Sequence, residues 1–426
     1  MIRIMDYSTV SESEIFSRSS SSADVSAPVA AIIGDVRQRG DQALIDLTRK
    51  FDGVDISRVE VPRMEIEKAA MSIDRAFLDV LEKAAGNIRA YHSNQVRKGF
   101  EIKQADGVVL GQKIVPVAVA GIYVPGGTAA YPSTVLMDTI PAKLAGVGQV
   151  VMVSPPGKDG KISQAVLAAA YVAGVDRVFC VGGAQAIAAL AYGTETIPKA
   201  DKIVGPGNIF VAEAKRQVSG IVGIDMIAGP SEILIICDCK SDPRVVAADM
   251  LSQAEHDRNA SAVLITTCRK LAEKVSEELE KQLAVLPREE IARASIETNG
   301  KIIVASSIEQ AIEISDRIAP EHLEVCVDNP FDYLDRINNA GSVFLGRSCP
   351  EALGDYLAGP NHTLPTSGNA RFSSPLSVDD FVKKYQYTYY TDKALSEVAD
   401  DIAFFARREG LEAHARSALA RKEAKP

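Results

Sequence analysis

Five histidines occur in this chain, and four of them stand beside other groups that bind metals or move protons. Gln253 and His256 follow the helical run AADMLS. At i and i+3 they share one helix face, so an amide oxygen and an imidazole could reach a common metal ion. Glu321 and His322 lie in APEHLEV, where a helix hands over to a strand. Adjacent residues of a regular strand point to opposite faces, but at a post-proline turn both side chains can enter one cleft. A carboxylate beside an imidazole then offers two proton-transfer groups of different pKa. Asp355 and His362 fall in PEALGDYLAGPNHTLPTSG, which reads as a loop dense in Gly, Pro, Asn and Thr. Such loops often carry sites. Glu409 and His414 share the segment EGLEAH, which on its own reads as a solvated charged helix. His92, inside a helical run beside Tyr91 and Ser93, is expected to be structural or at the surface.

A second group of segments suits anions. The strand DRVFCV runs into Gly182-Gly183-Ala184-Gln185 and a helix, which puts backbone amides at a helix N-terminus. Gly205-Pro206-Gly207-Asn208 precedes the helix IFVAEAKRQV in the same way, and Gly229-Pro230-Ser231-Glu232 precedes a strand. None of these is GxGxxG, and each alone could be plain turn chemistry. Three within one block point to a binding crevice.

The elements that must position these residues alternate. From about residue 115, VPVAVAGIYVP reads as a strand followed by Gly126-Gly127 and a helix near 133–146. GQVVMVSPP, DRVFCVGG, EILIICD, SAVLITT, KIIVAS, LEVCV and GSVFLG read as further strands separated by helices. Short continuous apolar strands between helices predict buried parallel sheets built from βαβ units. Ser307-Ile-Glu-Gln310 is a capping-box pattern opening a helix to Ile318. Before residue 115 the chain reads as helical, with one stretch from Pro28 to about Gly53 and another from Ser72 to Arg97. After about residue 375 it reads as polar and helical.

Composition narrows the partners. A net charge of −9 argues against a nucleic-acid binder, which needs a basic face. No apolar run is long enough to span a membrane, and the N-terminus lacks a typical secretory signal. Six cysteines without a CxxC, most of them inside apolar strands, are expected to be buried thiols in a reducing cytoplasm.

Taken in order, GIYVPGGTAAYPSTVLM, GGAQAIAALAYGT, VGPGN, IAGPSE, SQAEHD, APEHLEV, AGPNHTLPTSGNARFSSPL and EGLEAHARS resemble the histidinol dehydrogenase family. The resemblance spans nearly the whole chain and is weakest over the first hundred residues. It implies a cytoplasmic homodimer that oxidises L-histidinol through L-histidinal to L-histidine, using two NAD and one Zn2+ per subunit. A relative on the same scaffold acting on another polyol, such as sulfopropanediol, is the alternative. The resemblance places the zinc ligands on Gln253, His256, Asp355 and His414, and the acid–base pair on Glu321 and His322. Substrate contacts fall on these residues together with Ser231, His362 and Glu409, and NAD contacts on Tyr123, Gln185 and Asn208. The C-terminal segment would cross to the partner subunit, where His414 and Glu409 complete its site.

The fold expected is two incomplete Rossmann-like α/β domains with small helical N- and C-terminal appendages. The boundaries read as an arm at 1–24, a discontinuous α/β domain at 25–114 plus 230–375, an inserted NAD-binding domain at 115–229, and a C-terminal domain at 376–426. One departure from the family is Asp257-Arg258, where Gly-Pro or a similar turn is common; SVDDFVKKYQY also differs in wording.

Overall fold

The computed structural model describes residues 2–17, 24–104, 106–126 and 130–424; most of the serine run (18–23) and Gly127 lie outside the described residues. The chain divides into two compact units, 1–95 with 118–381, and 96–117 with 382–426.

The larger unit holds two six-stranded sheets. In sheet I the spatial order is Arg3–Asp6, Lys301–Val304, Ser261–Thr266, Glu232–Cys237, His322–Cys326 and Ser342–Leu345, parallel throughout. Alternate residues of its central strand feed two cores, as the period-2 geometry of a strand requires. Ile233 and Ile235 pack with Val246, Met250 and Leu279 on one face. Leu234 and Ile236 pack with Ile312 and Leu323 on the other. Sheet II runs Glu60–Val61, Arg177–Cys180, Gln149–Ser154, Val119–Tyr123, Lys202–Val204 and Gly223–Ile224, parallel except for its first strand. Its core gathers Val151, Val153, Phe179, Ile187, Leu190 and Ile203. Among the described residues, no helix is long and apolar enough to cross a membrane.

Several elements differ from the sequence reading for local reasons. Arg3–Asp6 is an edge strand paired with Lys301–Val304, a long-range contact that periodicity does not reveal. The helical stretch from Pro28 is two helices, Ser26–Arg39 and Asp41–Asp52. Between them Gly40 takes φ +52°, and a Cβ there would collide with the Glu195 carboxylate, which accepts the Asp41 amide at 2.8 Å. The stretch read from Ser72 to Arg97 is a helix at Arg75–His92, capped by Asp74 at Ala76 and ended by a 3-10 turn at Ser93–Gln95, and a separate helix, Arg63–Ser72, precedes it. The run read as one strand near 115–125 is Val109–Pro116 and Val119–Tyr123, and these fall in different units.

The smaller unit contains an antiparallel sheet of Phe100–Lys103, Val109–Pro116 and Val382–Tyr389. The segment after 375 is therefore not wholly helical. VKKYQYTY carries three tyrosines and a β-branched residue at each end region, a composition suited to strand. Helices Asp392–Arg408 and Glu412–Glu423 follow and pack through Ala403, Ala406 and Ala415.

Candidate active site

In a parallel sheet each crossover helix runs back against its strand, so its C-terminus arrives at the amino edge. The Pro243–Ala254 helix delivers Gln253 in this way to the edge of sheet I where the neighbouring strands Glu232–Cys237 and His322–Cys326 begin. Gln253 is buried. His256 lies just past the helix, and its amide bonds to the Gln253 carbonyl at 3.2 Å. The two residues stay within one turn, although the sequence reading put both on the helix itself.

Glu321 and His322 enter through a backbone turn. Ala319 ends the preceding helix in the left-handed region at φ 52°, and Pro320 follows. The turn is tied to the neighbouring strand: the Gly341 amide bonds to Pro320 O and the Ser342 amide to Glu321 O, each at 2.9 Å. Both side chains are buried, with Glu321 Oε2 at 3.6 Å from His322 Nδ1. Glu321 Oε2 accepts the Glu232 amide at 2.8 Å, and His322 Nδ1 meets the Glu232 carbonyl at 2.9 Å. Since a carbonyl only accepts, Nδ1 carries the proton and Nε2 holds the free lone pair. That Nε2 is buried without a hydrogen-bond partner and faces Glu351 Oε1, itself partnerless, at 3.8 Å.

Glu351 and Asp355 lie on a short helix, Glu351–Tyr356, in a segment that reads as loop from its composition. Spacing i and i+4 puts both carboxylates on one face. Glu351 was not found from the sequence, and that spacing is the signal that could have found it. Ligand-type atoms of His322, Glu351 and Asp355 lie within 4.8 Å of one another. Glu351 also bonds the Gln253 side chain and accepts Ser252 Oγ at 3.0 Å.

The environment separates the protonation tendencies of these groups. Burial raises Glu321 well above the ordinary carboxylate range, against the opposing Glu232 amide. Burial and then the charge of Asp355 push Glu351 up to about 7. Burial lowers His322 despite Asp355 nearby, which keeps the imidazole neutral. Burial also opposes charge on Asp355 and His362, yet their mutual hydrogen bond and attraction prevail. Asp355 is held down to about 2 and His362 is raised. Their nearest charged atoms are 3.5 Å apart.

Three successive residues latch the His362 loop to the Pro132–Ala145 helix. Asn361 Nδ2 donates to Met137 O at 2.6 Å, His362 Nε2 meets Thr134 Oγ1 at 3.3 Å, and Thr363 Oγ1 donates to Asp138 at 2.8 Å. Ser231 immediately precedes the central strand, beside the Glu232 backbone that holds both catalytic candidates. The structure thus brings Gln253, His256, Ser231, Glu321, His322, Asp355 and His362 to one edge. Glu409 and His414 belong to the smaller unit, exposed at the junction of its two helices. His92 is fully buried with Nδ1 on Gln95 at 2.7 Å, a core histidine.

In sheet II the strand order reverses between Val119–Tyr123 and Lys202–Val204. Tyr123 ends the first of these strands, and Gly205–Asn208 follows the second. Crevices at the carboxyl ends of strands at such a reversal take nucleotides. Tyr123 Oη accepts the Gly183 amide at 3.1 Å, next to buried Gln185 at the start of the Gly183–Tyr192 helix. Asn208 caps its helix, accepting the amides of Phe210 and Val211 at 3.0 and 3.2 Å. Gly205 at φ +111° leaves room for no Cβ, which would lie 2.1 Å from Tyr123 O. Both turns open onto helix N-termini, where backbone amides favour anionic groups.

The histidinol dehydrogenase family profile matches residues 16–422. A histidinol dehydrogenase of Listeria monocytogenes is 53% identical over 414 residues, covering 97% of each chain. One of Clostridium acetobutylicum is 54% identical over 395 residues, covering 93% of this chain and 92% of that one. A crystal structure of histidinol dehydrogenase from Elizabethkingia anophelis superposes with a TM-score of 0.93 at 38% identity, covering 99% of this chain and 98% of that one.

Proposed function

The chain belongs to the histidinol dehydrogenase family, and on that premise we propose that it oxidises L-histidinol through L-histidinal to L-histidine with two NAD at a zinc site. The observation that carries the reading is the buried pair Glu321–His322, whose partnerless Nε2 faces Glu351 and Asp355. We assign the zinc ligands to Gln253, His256 and Asp355, with His414 supplied by a second copy of the chain. This oxygen–nitrogen set suits a catalytic zinc that leaves positions open for substrate. Asp355 stands in a cluster with Glu351 and His322 whose ligand-type atoms lie within 4.8 Å of one another, and two carboxylates so close together suit a neighbouring cation. When bound, zinc anchors and polarises the substrate, and NAD takes up the two hydrides.

The chain's own groups move the protons. His322 is held by the Glu232 carbonyl and kept neutral by burial, so its Nε2 takes the hydroxyl proton during the first oxidation. Glu321, made more basic than a solvated glutamate by burial, takes a proton from the water that adds to the aldehyde. The hydrate then undergoes the second oxidation. The aldehyde stays bound between the two steps, which prevents loss of a reactive intermediate. Ser231, His362 and Glu409 contact the substrate, and Tyr123, Gln185 and Asn208 hold NAD.

A homodimer with shared sites accords with Phe404 and Phe405, 63% and 67% exposed on the hairpin that bears Glu409 and His414. A cytoplasmic setting accords with the six free cysteines. The test is NADH yield from purified protein with L-histidinol, with and without a chelator. Two NADH per histidinol, lost on chelation and restored by zinc, is the expected result. A zinc-loaded preparation that turns over sulfopropanediol and not histidinol would overturn it.

A further inference from the structure

The helix carrying Glu351 and Asp355 begins after Pro350, which offers no side-chain cap. Its first amide is nonetheless satisfied from a distant strand: Glu351 N donates to Glu324 Oε1 at 2.7 Å. Glu324 is fully buried and lies two residues beyond His322, hence on the same face of the strand. Its carboxyl is also hydrogen-bonded to Asp249, which sits one turn before Gln253 on the Pro243–Ala254 helix. One side chain therefore joins the strand bearing His322, the helix bearing Gln253 and the helix bearing Asp355.

We propose that Glu324 is a positioning residue that replaces the missing helix cap and aims Glu351 and Asp355 at His322 and the zinc position. The inference rests on the zinc assignment of Asp355 made above.

Two carboxyls joined by a hydrogen bond share one proton. Burial raises both carboxyls, which favours the pair retaining that proton. Glu324 shares that O–H···O bond with Asp249 while its Oε1 accepts the Glu351 amide. Glutamine reproduces both bonds with one N–H and one carbonyl. Leucine reproduces neither. The adjoining surface leaves this helix little room to find another seat, since a Cβ on Gly354 would lie 2.6 Å from the Phe344 ring.

The experiment compares full-length wild type, Glu324→Gln and Glu324→Leu for zinc affinity against a competing chelator and for KM of histidinol and of NAD. Amide exchange over residues 351–357 is followed in parallel. Glu324→Leu is expected to lose zinc affinity by roughly 10–100-fold, the usual effect of removing support behind a ligand. Its kcat/KM for histidinol should fall in proportion, with KM for NAD unchanged. Glu324→Gln should behave as wild type. A loss of folded fraction alone would lower kcat and leave both KM values and zinc affinity unmoved. Wild-type zinc affinity in a folded Glu324→Leu, or equal damage in both variants, overturns the proposal. If Glu324→Leu does not fold, exchange in wild type and Glu324→Gln decides: a protected Glu351 amide in both supports the proposal, and free exchange in wild type refutes it. Failure of wild type to bind zinc would instead refute the assignment of Asp355, while the exchange result would still judge the cap.

Discussion

Glu321→Gln should separate the two oxidations. Glutamine keeps the volume and keeps an oxygen to accept the Glu232 amide, so the turn that also carries His322 stays in place. What it loses is the basicity that burial confers on the carboxylate. Removing the hydroxyl proton in the first step is assigned to His322 Nε2, which the substitution leaves held by the Glu232 carbonyl at 2.9 Å. General-base catalysis is worth about 10²–10⁴-fold, or roughly 2.7–5.5 kcal/mol of barrier. Oxidation of histidinal should therefore fall by about that factor, and oxidation of histidinol to the aldehyde by only a few-fold. Stopped-flow NADH formation measures each half-reaction, started from the alcohol with an aldehyde trap or from the aldehyde directly. Equal loss in both half-reactions would refute the division of labour between Glu321 and His322.

Asp138→Asn should stabilise the protein in a pH-dependent way. Burial raises the Asp138 carboxyl from 3.8 to about 7, so ionising it costs the folded state up to roughly 4 kcal/mol. That cost is absent below the unfolded pKa and fully present above the folded one. The gain in melting temperature should accordingly be near zero at pH 4 and largest above pH 7; a gain independent of pH would count against the buried charge. Lys215→Met strands Asp225 in a buried pair that also holds the Gly205 backbone, with Lys215 Nζ on Gly205 O at 3.0 Å and the Gly205 amide on Asp225 at 2.8 Å. Urea unfolding should show a loss of about 3 kcal/mol, and KM for NAD should rise more than KM for histidinol. In Gly341→Ala the new Cβ would lie 2.5 Å from Glu321 O, so kcat should drop more than tenfold with a smaller effect on unfolding. A one-to-one mixture of His256→Ala and His414→Ala should regain about one quarter of wild-type activity, because about half of the dimers are mixed and one of the two sites in each of these is intact. No recovery on mixing would place His414 in its own chain's site.

The sequence by itself was enough for whatever depends on local order. Apolar runs such as VVMVS and ILIIC stand as buried parallel strands because a strand covered on both faces needs no polar alternation. Ser307 caps its helix at the Gln310 amide, at 3.1 Å, as the spacing foretold, while the return bond expected of a capping box runs instead from the Ser306 amide to the Gln310 side chain. The site segments could be singled out because imidazoles are scarce and each sits beside another donor. What sequence alone did not yield are contacts between residues far apart in the chain. Arg3–Asp6 becomes a strand only because Lys301–Val304 offers it an edge. Val382–Tyr389 does so only against Val109–Pro116. The Glu351–Tyr356 helix looks like loop because its cap, Glu324, is supplied from another strand. The protonation of Glu321, Glu324 and Glu351 was likewise beyond reach. Their residue type predicts an ordinary carboxylate, and only burial among other charges, decided when sheet I and its helices pack together, raises all three.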